Sequence, residues 1–341
     1  MKRASVSIVG GESLIGREVR DVLAESDLAV SLKLIGVDAE AVTLTEQDGE
    51  AAIMTRLDED ALRGSEVTFL AGSRDSSHKA IALAGVSGGG PIFIDLTYCA
   101  EDDPHARLRA PSVEPPGFEA PEAAFHVIAH PAAIALAILL RSLAAACPIR
   151  RSLAQIFEPA SERGRRGLDE LQKQTVNLLS FKSLPKEVFD AQLGFNLLAS
   201  YGFDAPQSLE SVEQRIERHL ASLLSIAGVG PLPSIRLVQV PVFHGYSISV
   251  HVEFERPQEP AALARSLASG QVDVRDGDLE PPTSAGIAGQ SGIAVGGIAA
   301  DRNDPHACWF WLVADNLRLM ADNGVSVARD LLRRKEPGLA V

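Results

Sequence analysis

Apolar and polar positions fall into alternating blocks along the first third of the chain. Residues 5–10 (SVSIVG) form a short apolar run that reads as a buried strand, followed by a glycine turn and a helix over 14–25 (LIGREVRDVLAE). Further strands are predicted at 31–37 (SLKLIGV), 66–71 (EVTFLA) and 91–96 (PIFIDL), with a helix near 75–86. Strand and helix in regular alternation predict a doubly wound α/β parallel sheet with helices on both faces, a Rossmann-like unit over about 1–128.

The rest of the chain has a different pattern. A helix at 133–146, a strand near 152–158 and a helix at 164–179 lead into a polar loop region, 181–207, and a helix at 210–225. Alternating apolar runs over 234–255 predict antiparallel strands. A helix is expected from Pro260 to Ala268, with proline in the first turn where its missing N–H costs little. Residues 279–300 are rich in Gly and Pro and read as loops or short strands; 308–314 (CWFWLVA) is a strand. Asp315 and Asn316, good helix caps, open a last helix running to about 334. The very apolar stretch 131–147 is short for a membrane span and contains Arg141, so a buried core helix is expected and no membrane partner.

Composition narrows the class. A chain of 341 residues suggests two domains, and 46% hydrophobic with 23% charged residues is globular. The net charge of −13 argues against a nucleic-acid partner. Arg163, Arg165 and Arg166 are offset by Glu158, Glu162, Asp169 and Glu170 and read as a solvated helix start. Cys99, Cys147 and Cys308 are too scattered for a zinc ribbon or disulfide framework, which suits a reducing cytoplasm. Lys2 and Arg3 precede an apolar stretch too short for a signal peptide.

The turn after the first strand carries Gly10, Gly11, Ser13, Leu14, Ile15 and Gly16. In an extended dinucleotide fingerprint the first glycine makes the turn, the second lets the pyrophosphate approach and the last allows close helix packing; the helix N-terminus binds the anion. Here Ser13 takes the middle position, and its Cβ crowds the place of the phosphates. Two readings stay open: a retained dinucleotide site, or a retained fold with a closed site and no cofactor. Asp38 and Glu40 follow the second strand, where a carboxylate suits a ribose 2′-hydroxyl and opposes a 2′-phosphate. Of NAD and NADP, NAD is therefore favoured; plain loop acids are the bland alternative.

Several segments together resemble aspartate-semialdehyde dehydrogenases: SIVGGESLIGREV (7–19), IFIDLT (92–97), VIAHPAAIAL (127–136), SERGRRGLDEL (161–171), GFNLL (194–198), VQVPVFHGYS (238–247) and FWLVADNLR (310–318). Their order and spacing agree along the chain, and the Usg-type branch with eroded active sites is the nearest pattern. The resemblance implies an NAD(P)-binding Rossmann domain from 1–128 with 316–341. It implies an α+β dimerisation and substrate domain from 129–315, like the C-terminal domain of glyceraldehyde-3-phosphate dehydrogenase, and a homodimer. Asn316 matches a position near the nicotinamide, although helix capping alone would account for it.

The chemistry departs from the family's. Its nucleophilic thiolate stands in an Asn-Pro-x-Cys motif, which here reads His130-Pro131-Ala132-Ala133, and a methyl group forms no covalent intermediate. Its substrate arginine and acid/base histidine, seven residues apart, fall at Gln239 and Tyr246. Its substrate-positioning glutamine falls at Glu158 and, more loosely, its phosphate-binding arginine near Glu101, both of the wrong sign for an anionic substrate. Asn196 and Asn316 survive. Cys99 is a candidate substitute nucleophile, though a buried or loop thiol is the plainer reading; His130, His244 and Glu158 are a candidate acid/base or zinc set, though residual polar lining is plainer. No metal is expected. The leading expectation is an inactive, dimeric relative with a possible small-molecule ligand. The alternatives are an NAD(P)-dependent oxidoreductase acting on aldehyde or oxo groups with altered residues, and a purely structural or interaction protein.

Overall fold

The computed structural model describes residues 3–37, 43–47, 50–85, 90–275, 277 and 279–335. The chain divides into two compact units: residues 1–111, 116–129 and 320–341, and residues 112–115 with 130–319.

The first unit is an α/β sheet. Its elements are β1 (Ala4–Val9), α1 (Leu14–Glu25), β2 (Val30–Gly36), β3 (Thr43–Gln47), β4 (Glu50–Arg56), α2 (Glu59–Leu62), β5 (Val67–Leu70), α3 (Arg74–Ala84), β6 (Ile92–Asp95), β7 (Ala106–Arg109) and β8 (Phe125–Ile128). The eight strands lie in the order β3-β4-β2-β1-β5-β6-β8-β7, all parallel to their neighbours except the β3–β4 pair. Central strands are buried on both faces; Val6, Ile8 and Val9 of β1 and Val67, Phe69 and Leu70 of β5 have no exposed surface. This is why they read as continuous apolar runs rather than alternating ones. The expected parallel sheet is present, and β3, β4, α2, β7 and β8 add to it.

The second unit holds α4 (Pro131–Ala146), β9 (Ile149–Glu158), a 3-10 turn at Ala160–Arg163, α5 (Gly164–Leu179), α6 (Leu209–Ala227), β10 (Ser234–Gln239), β11 (Tyr246–Phe254), α7 (Pro260–Leu267), β12 (Val272–Arg275), β13 (Ile293–Ala300) and β14 (Ala307–Ala314). It also holds the start of α8 (Asn316–Lys335). The mixed sheet runs β10-β9-β11-β14-β13-β12. Two expectations need correcting. Both strands expected over 234–255 are present, but only β11 is paired antiparallel, to β9 and β14; β10 runs parallel to β9, which lies between it and β11. The Gly- and Pro-rich stretch 279–300 ends in an eight-residue strand, β13, whose glycines sit inside the strand. Gly296 is needed there because a Cβ would lie 2.6 Å from both the Arg275 carbonyl oxygen and Pro282.

Strict alternation along β11 buries Tyr246, Ile248, Val250, Val252 and Phe254 on one face. The other face carries two rows across three strands: Leu153, His251 and Trp309, then Gln155, Ser249 and Trp311. The apolar helix α4 is core, with Pro131 through Leu140 all buried, and no helix among the described residues is long and apolar enough to cross a membrane. The 181–207 region has no long element but is packed: Glu170 accepts the Val188 N–H at 2.7 Å, Gln174 accepts the Leu193 N–H at 2.7 Å, and Phe189 and Leu193 are fully buried.

Candidate functional site

The ends of β9 and β10 create the centre of the second unit. Because β10 is parallel to β9, Gln239 pairs with Glu158 at matching strand ends. Beyond them the two chains stay bonded: Val240 N–H to Glu158 C=O at 3.0 Å, Ala160 N–H to Val242 C=O at 2.8 Å and Ser161 N–H to Phe243 C=O at 3.0 Å. The 3-10 turn then turns Ser161, Glu162 and Arg163 inward, toward the start of β11 and of α8.

Glu158 has no exposed surface, and Arg163 Nη2 donates to its Oε1. The Tyr246 hydroxyl donates to Glu158 Oε2 at 3.4 Å. The Tyr201 hydroxyl accepts from Arg163 Nε at 3.2 Å and donates to Gln239 Oε1 at 2.6 Å. Gln239 Nε2 donates to the Glu158 carbonyl at 2.8 Å, so both ends of this amide are engaged within the protein. Burial pushes the Glu158 carboxyl up, and Arg163, Tyr201 and Tyr246 oppose that shift. Burial works against the Arg163 charge, but Glu158, Tyr201 and Glu162 together outweigh it and the guanidinium is held above its usual range. An ion pair is the form this geometry stabilises.

A second cluster joins the N-terminus of α4. His130 caps that helix, its Nδ1 accepting the Ala132 N–H at 3.3 Å, and its own N–H donates to His219 Nδ1 at 2.9 Å. With Nδ1 an acceptor, the ring proton belongs on Nε2, which lies 3.7 Å from Glu162 Oε2. Burial, then His219, Arg215 and Arg163, hold the imidazole well below the usual histidine range, so it is neutral at pH 7. Glu162 Oε1 accepts from Asn316 Nδ2 at 2.8 Å. Burial and then the neighbouring Glu158 push this carboxyl up to about 7. Asn316 Oδ1 accepts the Gly245 N–H at 3.1 Å. Asp315 is the cap of α8, accepting the N–H groups of Leu317 at 2.9 Å and Arg318 at 3.0 Å; Asn316 is therefore a member of the cluster and not a cap.

Ala133 is the third residue of α4 and fully buried. Glu158, Gln239 and Tyr246 meet, and the His130 ring stands edge-on to Tyr246 at 6.0 Å between centroids. His244 is half-buried in the turn before β11 and is not joined to His130 or Glu158; among the described residues no three His, Cys, Asp or Glu side chains are placed to hold a metal ion. Asn196 is exposed and donates to the Gln192 carbonyl at 3.2 Å, away from this centre. The reading of Arg163 as part of a solvated helix start is wrong: only Arg165 and Arg166 are exposed, while Arg163 and Glu162 point inward. Tyr201, Arg163 and Glu162 are the members that sequence reasoning missed. A glutamate and an arginine five apart across a strand end are the local signal that could have found the Glu158–Arg163 pair.

In the first unit Gly10, at φ 85°, abuts Gly72, where a Cβ would lie 2.4 Å from the Gly72 Cα. Gly16 packs against the turn, a Cβ there meeting the Gly10 carbonyl oxygen at 2.1 Å. Ser13 caps α1: its Oγ accepts the Gly16 N–H at 2.8 Å and donates to the Ala71 carbonyl at 2.7 Å. Gly11 is buried, and Leu14 and Ile15 open the helix, half-buried. Asp38 and Glu40 lie outside the described residues. Glu101 follows β6 in a turn. Cys99 follows β6 too; burial and then the Asp95 charge push its thiol up to about 12, the reverse of what a nucleophile requires.

Comparison with known proteins agrees with this architecture. Residues 140–319 match the family described as semialdehyde dehydrogenase, dimerisation domain. The chain is 31% identical to a USG-1 protein homolog of Pseudomonas aeruginosa over 92% of its length and 93% of the relative's. It is 26% identical to an aspartate-semialdehyde dehydrogenase of Rickettsia bellii, covering 97% of this chain and 98% of that one. The structure of a probable aspartate-semialdehyde dehydrogenase from Pseudomonas aeruginosa superposes with a TM-score of 0.83 at 26% identity, over 98% of this chain and 100% of that one.

Proposed function

Since this chain belongs to the aspartate-semialdehyde dehydrogenase family, we propose that it is a catalytically silent, self-associating member whose inherited reaction centre is filled by its own side chains. One observation carries this reading: a buried methyl group, Ala133, is the third residue of α4, where the match of His130-Pro131-Ala132-Ala133 to the family's Asn-Pro-x-Cys motif puts the nucleophile. The other positions support it. Gln239 is bonded at both ends of its amide within the protein, and Glu158 is paired with Arg163, so neither is available to an incoming carboxylate. Tyr246 offers a buried phenol hydroxyl, turned to Glu158, where a base is needed.

The functional division proposed is a dinucleotide domain, 1–128 with 316–341, and a dimerisation domain, 129–315. The glycine turn supports a dinucleotide site, and the acids Asp38 and Glu40 that follow β2 in sequence favour NAD. Self-association through the second unit is supported by its outward sheet face. There Leu153 and Trp309 are 42% and 40% exposed in one cross-strand row, an apolar surface of the kind that partners cover. The scattered cysteines suit a reducing cytoplasm.

The test is an assay of purified protein with aspartate semialdehyde, phosphate and NAD or NADP. No turnover above blank is expected, and Ala133→Cys alone stays there, because Gln239, Tyr246 and Glu158 are unchanged. Ordinary turnover by the unaltered protein, or substantial recovery by that single change, would show the reading to be wrong.

A further inference from the structure

The glycine turn of the first unit carries a carboxylate that a phosphate-binding turn does not call for. Glu12 lies between Gly11 and Ser13, just ahead of α1. Its Oε1 accepts the backbone N–H of Val37 at 2.8 Å, so the side chain reaches from the turn to the residue after β2. Its Oε2 is buried and has no hydrogen-bond partner among the described residues. Nearby donors are already engaged: the Gly16 N–H goes to Ser13 Oγ, and the Gly10 N–H to the Ile35 carbonyl at 2.8 Å.

A buried carboxylate oxygen without a donor is unfavourable until one arrives. In a parallel sheet of this kind the gap between the glycine turn and the end of the second strand is where the adenosine ribose of a dinucleotide lies, and an acid there accepts ribose hydroxyls. A ribose 2′-hydroxyl brings the missing donor. A 2′-phosphate brings only acceptors and negative charge, which the Glu12 carboxylate repels at close range. We propose that Glu12 is a ribose acceptor of this site, in addition to the acids that follow β2 in sequence, and that its charge contributes to selecting NAD over NADP. This inference rests on the reading that the first unit retains a dinucleotide site.

The experiment is titration calorimetry of the full-length protein with NAD and with NADP, for the unaltered chain and for Glu12→Gln. Glutamine keeps an acceptor for Val37 and removes the charge. The unaltered protein is expected to bind NAD at least about tenfold tighter than NADP, and Glu12→Gln to narrow that ratio to within about threefold, as for the loss of one charged contact. A ratio unchanged by Glu12→Gln overturns the role of Glu12 and leaves the dinucleotide site standing. Binding of either only after the substitution makes Glu12 a block and also overturns the proposal. Heat from neither dinucleotide, with either protein, removes the dinucleotide reading itself and this one with it. If Glu12→Gln does not fold, the unaltered protein decides: equal affinity, or tighter NADP, overturns the assignment.

Discussion

Glu162 is a carboxyl that the fold keeps protonated well above its ordinary range. Buried next to Glu158, it is raised from 4.5 to about 7, and Asn316 donates to it at 2.8 Å. Its folded-state value lies above the unfolded one, so the folded chain retains a proton that the unfolded chain has already released. The resulting stabilisation is complete below 4.5 and lost as pH rises through about 7. Glu162→Gln keeps an acceptor for Asn316 and removes the ionisation. Relative to the unaltered protein, the variant is expected to gain stability between pH 5 and pH 8 by up to ~3 kcal/mol, read from urea denaturation at the two pH values. Parallel pH profiles for the two proteins would mean that Glu162 ionises as freely folded as unfolded.

The elements differ in how plainly their residues announce them. β1, β2 and β5 are continuous apolar runs, α1 follows a glycine turn, and α4 is apolar throughout; each signal is local, and each element lies where the pattern puts it. β10 and β11 were legible as strands but not as neighbours of β9, because strand order is set by a crossover and leaves no local trace. β13 hid behind its two glycines, Gly296 demanded by close packing and Gly297 by a φ of 56°, which a turn-based pattern reads as loop or short strand. Capping shows the same limit. Ser13 was read as an obstacle to phosphate, whereas its hydroxyl joins the start of α1 to the end of β5. Ser13→Ala is expected to cost about 1 kcal/mol through loss of the cap, measurable as a lower urea midpoint at unchanged slope. No change in midpoint would show that water replaces the hydroxyl without loss.

For the molecule as a whole, the outward rows of the six-stranded sheet set the expected assembly. Light scattering behind size exclusion should give twice the chain's 36.2 kDa, and Trp309→Lys, at the β14 end of the row with Leu153 and His251, should shift the mass toward one chain. A single-chain mass for the unaltered protein at micromolar concentration would count against self-association. At this scale the reaction centre was half legible. Ala133, Glu158, Gln239 and Tyr246 could be placed by matching segments, since their spacing is kept along the sequence. Arg163, Tyr201 and His219 could not, because what defines them is contact across 38 to 89 positions, as between Arg163 and Tyr201 or His130 and His219.

The Glu158–Arg163 pair also constrains the engineering of this chain. Each partner neutralises a charge that would otherwise lie stranded away from water, so replacing either one alone weakens the folded protein. Any redesign of this centre must therefore change both partners of the pair at once.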